Sequence, residues 1–539
     1  AELMRMGPEQ LDRYLGIARK AMRAAIVDPD KPEVFKISRQ WDATGINSGI
    51  GEDEVGFWRG GGRHGVARGL SFQNFPVNGE FRLRVKASGI IPPGFTNVPL
   101  KIDMGSAPEH TETPHKTVGI LYLTNSPDEP EVFEFRGRIE NIPAAPPRGR
   151  RELQGDSITI IPRIFYDDGT HNDGSYHAAK RNLQYPRAVV SSIELEVPVV
   201  DTWPPKHHTD ISFDSPLRES EPDAYVEEVI EWFIARAYRR PSTQEEVDKF
   251  TKIFRLIRPS AETFEEAMRE TLAMLLISPQ FLYHTESDPA TDRHYAMASK
   301  LSYFLWSGMP DEGLFELAAA EKLDDPQVIE EQVLRMLADE KSHAFIEDFT
   351  LQWLSIRKML TVPINSELYP RFLYKVWRGE TKGIEQPYRI TVRDFMMQET
   401  IGFVGEMIKR NASALSVVDS DFAYLNERLA NHYGIDGVKG MRMRPVPIKP
   451  EDNLGGLLTQ GSVLIGNGTG TAPHPIYRAV WLREAILGDH VAPPPSEVPA
   501  LEETAGDTTE GALSIAQLLE KHRTVESCND CHFRLDPWG

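Results

Sequence analysis

The residues best suited to chemistry lie in the last stretch of the chain, Cys528-Asn529-Asp530-Cys531-His532-Phe533-Arg534-Leu535-Asp536-Pro537-Trp538-Gly539. Cys528 and Cys531 are the only cysteines among 539 residues. Two thiols separated by two residues, with a histidine directly after, is the spacing at which both sulfurs form thioethers to haem vinyl groups while the imidazole reaches the iron. On that reading Cys528 and Cys531 tether a covalent haem c, and His532 is the proximal ligand of its iron. Two other chemistries use such a pair. A thiol redox couple wants a strand before it and an amphipathic helix after it, whereas Asp536-Pro537 follows here. Zinc wants four ligands, and with no further cysteine the others would have to be histidines such as His522 and His532. The spacing favours haem.

A haem iron also has a sixth position. Histidine or methionine there favours outer-sphere electron transfer, and an open position permits ligand or peroxide chemistry. No methionine follows His532 as far as Gly539, so a distal ligand is expected from upstream or from residues beyond Gly539; the first upstream candidate is His522, with Met441, Met443, His474 and His490 behind it. Phe533, Leu535 and Trp538 are expected to shield the ring, since burial of its edge tunes the potential.

Other stretches carry weaker signals. Asp167-Asp168-Gly169-Thr170-His171-Asn172-Asp173-Gly174 gathers hard oxygen donors around two glycines, which suits calcium held by Asp167, Asp168, Asn172 and Asp173. Its spacing is not that of an EF-hand, and a plain polar turn uses the same residue types. His207-His208 could bind a metal, but no acidic or cysteine partner is near in sequence, and a solvated pair is expected. Gly60 to Gly65 and Arg148 to Arg151 read as surface loops. Gly466-Asn467-Gly468-Thr469-Gly470-Thr471 lacks a lysine in P-loop register and the dinucleotide fingerprint, so it reads as a glycine turn.

Composition narrows the setting. A formal charge of -20 argues against nucleic acid and anionic membrane surfaces, which the net field would repel. No run of about eighteen apolar residues occurs, so no transmembrane segment is expected. No secretory leader is visible at Ala1; it was removed, or the chain starts downstream of it. Haem is joined to Cys-x-x-Cys-His outside the cytoplasm, which makes a periplasmic or extracellular location an inference from the motif. With two cysteines, disulfides do not hold the fold together.

The elements that must position these residues change character along the chain. Leu11, Tyr14, Leu15, Ala18, Met22 and Ile26 repeat at helical spacing, so 1–29 is a helical segment, expected to complete something upstream. Over 30–200, clean alternation in Phe81 to Val85, Val132 to Arg136, Ser157 to Ile161 and Ser192 to Val197 predicts an antiparallel β-sandwich of jelly-roll kind, carbohydrate-binding in style. Residues 201–222, with Trp203-Pro204-Pro205, read as a linker laid across a surface.

From 223 to 450 the period is that of helices, beginning with the stripe Val226, Val229, Ile230, Phe233, Ile234 and Ala237. Ser242 with Glu245, and Thr263 with Glu266, are capping-box pairs. Further helices are predicted over 293–306, 326–355 and 390–409, with Met297, Met336, Met396, Met397 and Met407 filling cores. A mixed segment over 451–500 holds a helix around 477–487 and a Pro-rich linker at Pro493 to Pro495. Residues 501–539 begin a cytochrome c-like segment, in which a helix at Ile515, Leu518 and Leu519 delivers His522. The fold class is therefore α+β and multidomain: a jelly-roll-like sandwich, then a mainly α-helical region ending in a c-type haem segment.

Several motifs together resemble a known family. They are Arg236-Ala237-Tyr238-Arg239-Arg240-Pro241, Ser299 to Ser307 with Pro310-Asp311, Tyr424 to Ala430 with His432-Tyr433-Gly434, Gly455 to Leu464, and Glu520 to Arg523 ahead of Cys528. The chain resembles the planctomycete-type large secreted c-type cytochromes, whose domains mostly lack assigned functions. His474-Pro475 departs from the dipeptide expected there and receives no family role. The resemblance implies an exported haem protein that forms part of a longer product.

The function expected first is electron transfer, with a redox partner protein or another cytochrome, and a sandwich that docks to a glycan or a partner protein. A haem-dependent oxidoreductase acting on a carbohydrate-like substrate is the second reading, and a structural or binding component of a larger complex the third. No Gly-x-Ser-x-Gly, P-loop or His-Glu-x-x-His pattern supports a hydrolase or an NTPase. Whether the chain is an enzyme stays open.

Overall fold

The computed structural model describes residues 7–40, 69–106, 115–144, 156–166, 168, 186–283, 293–365, 367–369, 372, 374–375, 381–382, 392–492 and 532–539. The chain divides into two compact units, one of residues 1–92, 97–164 and 185–345, the other of 93–96, 165–184 and 346–539.

The first unit contains a β-sandwich-like region of eight strands: β1 (Phe35–Gln40), β2 (Leu70–Gln73), β3 (Glu80–Ile90), β4 (Val98–Gly105), β5 (His115–Leu123), β6 (Glu131–Arg138), β7 (Ser157–Ile164) and β8 (Arg187–Val197). One antiparallel sheet runs β1-β8-β3-β6 and the other β2-β7-β4-β5. The last strand thus lies between the first and the third, the pairing order of the expected jelly roll. Alternation decides which face goes inward. On β3, Phe81, Leu83, Val85 and Ala87 are buried, and Leu83 and Val85 face Leu195 and Ile193 of β8. Leu100, Ile102 and Met104 of β4, with Ile158 and Ile160 of β7, form the matching apolar face. The opposite face of β3 is charged: Arg82 ion-pairs with Glu134, Glu196 and Asp201, and Arg84 with Glu134. Cross-strand pairs of opposite sign reinforce the register that the apolar pattern sets.

Helices of that unit include α1 (Pro8–Ala25), α2 (Lys206–Thr209), α3 (Pro222–Ala237), α4 (Gln244–Ile257) and α5 (Phe264–Leu275). Helix α1 packs on the helices that follow the sandwich. Met22 and Ile26 join one core with Tyr225, Val229 and Ile230 of α3, Phe250 and Phe254 of α4, and Met268 and Leu272 of α5. The cap of α4 is also shifted by one residue from the predicted Ser242–Glu245 pair. Thr243 Oγ1 accepts from the Glu246 N–H at 3.3 Å, and the Glu246 carboxylate accepts from the Thr243 N–H at 3.0 Å. Both registers satisfy the motif, but only Glu246 also pairs with Arg240, at 2.6 Å, and that extra ion pair favours it. Thr263 caps α5 through the Glu266 N–H, while the Glu266 carboxylate takes the Glu262 N–H, so only half of that predicted box forms.

Residues 201–222 are tied into the fold at several points. Asp201 pairs with Arg82, Trp203 Nε1 donates to the Pro29 carbonyl at 3.1 Å, and Ile211 and Ser212 are buried. Beyond α5, α6 (Arg293–Trp306), α7 (Glu312–Ala319) and α8 (Pro326–Ala338) share a core of Ala298, Leu305, Trp306, Leu314 and Met336. The single helix predicted over 326–355 is two, α8 and α9 (Ser342–Trp353). Ser342 Oγ donates to the Leu337 and Asp339 carbonyls, satisfying the end of α8 and separating it from α9.

In the second unit α10 (Val392–Lys409) is followed by α11 (Glu427–Tyr433), α12 (Gly461–Gly466) and α13 (Pro475–Trp481), the last continuing into a π-turn over Leu482–Ile486. Phe422–Leu425 pairs antiparallel with Arg444–Pro447 beside α10. Gly456 has φ +60° and ψ -164°, a region that glycine alone enters readily, and a Cβ there would lie 2.3 Å from the Val417 carbonyl oxygen. Gly456→Ala is expected to destabilise the protein by at least about 1–3 kcal/mol, read as a lower urea midpoint with circular dichroism.

Candidate functional site

The site begins with His532, which opens one helical turn that runs into a 3-10 turn at Asp536–Trp538. Its side chain is largely buried, and Nδ1 lies 2.9 Å from Asp536 Oδ1, one turn further on. Facing a carboxylate, Nδ1 is the nitrogen that carries the proton, which puts the ring's lone pair on Nε2. That is the tautomer an iron ligand needs, and a carboxylate behind a ligating imidazole both orients the ring and raises its basicity.

The turn is anchored to α13. Leu535 is buried, and the Gly539 backbone packs so closely on Pro475 that a Cβ would stand 2.8 Å from the Pro475 carbonyl oxygen. His474 caps α13, its Nδ1 accepting from the Tyr477 N–H at 3.3 Å and its ring stacking on Tyr477 at 3.7 Å. Indole bonds then fasten α13 to the end of α9: Trp481 Nε1 donates to the Leu354 carbonyl at 2.9 Å, and Trp353 Nε1 to the Ala485 carbonyl at 2.6 Å.

Whether these residues suit a porphyrin can be tested on their exposure. Phe533, next to His532 in sequence, is 77% exposed and Trp538 46%, which leaves two aromatic surfaces on this short turn that a flat apolar group would cover. Leu535, expected among the shielding residues, is instead committed to the protein core at 4% exposure. Cys528, Cys531 and His522 lie outside the described residues. Of the other distal candidates, Met441 is buried, His490 is exposed beside Glu484, and His474 stands at the start of the helix that the Asp536–Trp538 turn packs on.

A second group of residues was not read as a site from the sequence. Glu399 on α10 is fully buried, and the Tyr433 hydroxyl donates to it at 2.7 Å while accepting from the Gly461 N–H at 2.9 Å. Burial pushes the Glu399 carboxyl up to about 8, against the Tyr433 bond, so it is protonated at neutral pH. Burial first, and then Glu399 beside it, push the Tyr433 phenol well above its ordinary value. Next to them Thr400 Oγ1 meets Gln460 Oε1 at 2.6 Å and Ser462 Oγ at 2.5 Å. The visible hint was an acid inside the apolar stripe of Phe395, Met396 and Phe403.

Other sequence candidates fare differently. Only Asp168 of the calcium loop lies among the described residues; Asp167, Asn172 and Asp173 do not. Its backbone carbonyl accepts from Asn431 Nδ2 at 2.7 Å. Among the described residues, no three His, Cys, Asp or Glu side chains gather as a metal site. The loops at 60–65 and 148–151 and the segment 493–495 also lie outside the described residues. The expectation of a solvated His207-His208 pair is corrected. His208 is 3% exposed and its Nδ1 accepts from the Val27 N–H at 3.1 Å, because α2 is folded against the end of α1. Burial lowers both imidazole pKa values. No helix among the described residues is long and apolar enough to cross a membrane.

Three protein-family profiles match the chain: PSD5, a protein of unknown function (DUF1595), over residues 225–286; PSD4, a protein of unknown function (DUF1592), over 293–435; and PSCyt3, a protein of unknown function (DUF1588), over 454–539. The last contains the whole thiol–histidine stretch and the α13 that anchors it. A jelly-roll-like sandwich followed by a helical region makes this a multidomain protein of the α+β class. Within that class, the chain carries three domain families that are typical of planctomycete cytochrome-c-like proteins. Comparison with curated proteins found no match, and comparison with solved structures found none.

The buried acid gives this site a pH signature. The folded Glu399 carboxyl sits at about 8, above the ordinary 4.5, so the native state holds a proton that the unfolded chain releases across that window. Its stabilising contribution is complete below about pH 4.5 and is lost as pH rises through about 8. Glu399→Gln is expected to flatten the fall in melting temperature over that range, by a free-energy difference on the order of a few kcal/mol, in thermal denaturation followed at several pH values.

Proposed function

We propose that the chain is an exported c-type haem protein that carries out electron transfer in the periplasm or outside the cell, with its sandwich docking it to a glycan or a partner protein. The observation that supports this most directly is the His532 imidazole, oriented through Nδ1 by Asp536 and placed directly after the only two thiols in the chain. Cys528 and Cys531 would hold the porphyrin covalently, and His532 would be its proximal ligand.

When bound, haem c supplies a one-electron iron couple. Asp536 keeps the ring of His532 in one tautomer and one orientation, and the exposed Phe533 and Trp538 would be covered by the bound porphyrin. The acidic chain favours a partner with a basic surface, because complementary charge speeds encounter.

Protein made in a host competent for cytochrome c maturation is expected to gain the mass of one haem and to show a reduced-minus-oxidised haem spectrum, both abolished in Cys528→Ser/Cys531→Ser. Colourless protein with free thiols, or zinc bound between them, would overturn the reading. Asp536→Asn should keep the added mass and raise the reduction potential, by roughly 59 mV for a tenfold change in the one-electron equilibrium, in spectroelectrochemical titration.

A further inference from the structure

The histidine pair that the haem reading leaves unused points to a second site. A cavity of about 450 Å³ opens in the first unit where the sandwich meets α1 and α5. Its walls come from distant parts of the sequence: Arg23 and Val27 near the end of α1, Gly79 and Glu80 at the start of β3, Arg138 at the end of β6, and Trp203 and His207 from the segment before the helices. That volume is within the usual range for small-molecule sites, which favour junctions between domains.

The walls are fixed before any ligand arrives. Trp203 Nε1 is held by the Pro29 carbonyl at 3.1 Å, so the indole presents a set face. Arg269 bonds the Asp28 carboxylate at 2.8 Å and the Ile26 carbonyl at 3.3 Å, tying α5 to the chain leaving α1. On the sandwich side the Val199 N–H donates to the Glu80 carbonyl at 2.8 Å. Preorganised walls lower the entropic cost of binding.

His207 is the informative residue. Burial lowers its pKa first and Arg138 adds to the effect, so the imidazole is neutral at pH 7. The ring hydrogen-bonds the Ala24 backbone, while Nε2 is buried and has no hydrogen-bond partner among the described residues. A ring nitrogen donating to a backbone carbonyl leaves the other as an acceptor, and a buried acceptor left unmet costs free energy. The cavity therefore offers acceptors at His207 and Glu33, a donor at Arg23, and flat apolar surface at Trp203 with Pro32, Pro76, Pro198 and Pro205, while Arg138 is paired with Glu140 at 2.6 Å and Glu80 with Arg136 at 3.3 Å.

A ligand that satisfies all three must donate and accept hydrogen bonds in alternation and carry an apolar face. An anion would meet more carboxylates than arginines, and a cation is the alternative that the choline probe below tests. From this geometry we infer that the cavity binds a neutral sugar, a pyranose of a mono- or disaccharide stacked on Trp203 with a hydroxyl donating to His207 Nε2. The inference rests on the proposed glycan docking of the sandwich and is independent of haem.

The test is isothermal titration of the full chain with a panel of neutral disaccharides (cellobiose, maltose, xylobiose, mannobiose and lactose), with choline as the cationic probe. The expected result is that at least one disaccharide binds and choline does not. Affinity should fall at least tenfold in Trp203→Ala and in His207→Ala, and Arg23→Ala, at an exposed position, should weaken binding while the melting temperature stays that of the parent. Sugar binding that is indifferent to all three substitutions would overturn this site and leave glycan docking standing elsewhere on the sandwich. Absence of binding by every sugar would overturn both, and choline binding lost in His207→Ala would replace the sugar with a cation.

Discussion

The second unit depends on a phenol, a carboxylic acid and one backbone N–H that meet out of water. Tyr433 both donates to Glu399 and accepts from Gly461, so α10, α11 and α12 share a single hydrogen-bonded centre. Removing one member would leave the others buried and unmet, which costs more than the bond itself returns. Gly461 must be glycine for the same reason, since a Cβ there would stand 2.7 Å from the Met396 methyl and 2.9 Å from the Tyr433 oxygen. Contacts then pass outward: α12 lies on Ile356–Leu360, the end of α9 bonds α13, and α13 carries the turn that orients His532.

The two candidate sites lie in separate units. In the first, an aromatic face, a neutral imidazole and charges of both signs surround a cavity built from β-strand ends and helices. In the second, an imidazole is set by a carboxylate after a thiol pair. The strong negative charge adds long-range selection among partners.

Much of the fold was legible because its signals are local. Alternation over Phe81 to Val85 and Ser192 to Val197 marked strands that do pair, Arg82 through Val85 lying opposite Glu196 through Ile193. Helical spacing marked α6 and α10 to within a residue or two, and Met336 and Met396 fill cores as their positions suggested. Ser242 and Thr243 show where such reading stops. Either could cap α4, and Arg240, through its pair with Glu246, favours the second. Likewise nothing between Ser342 and the end of α8 announced a break, because a serine hydroxyl can serve a helix interior or a cap.

The sequence alone determined the element types, the order of sandwich and helices, and the thiol–thiol–histidine spacing, since each depends on residues a few positions apart. Tertiary structure decided the rest. His207 and His208 looked solvated because the α1 segment that covers them lies some 180 positions earlier, as the Val27–His208 bond records. Glu399 looked like one more helical acid until folding removed its water and set a phenol against it. Charge state and hydrogen-bond need are properties of surroundings, and surroundings drawn from across the chain exist only once it has folded.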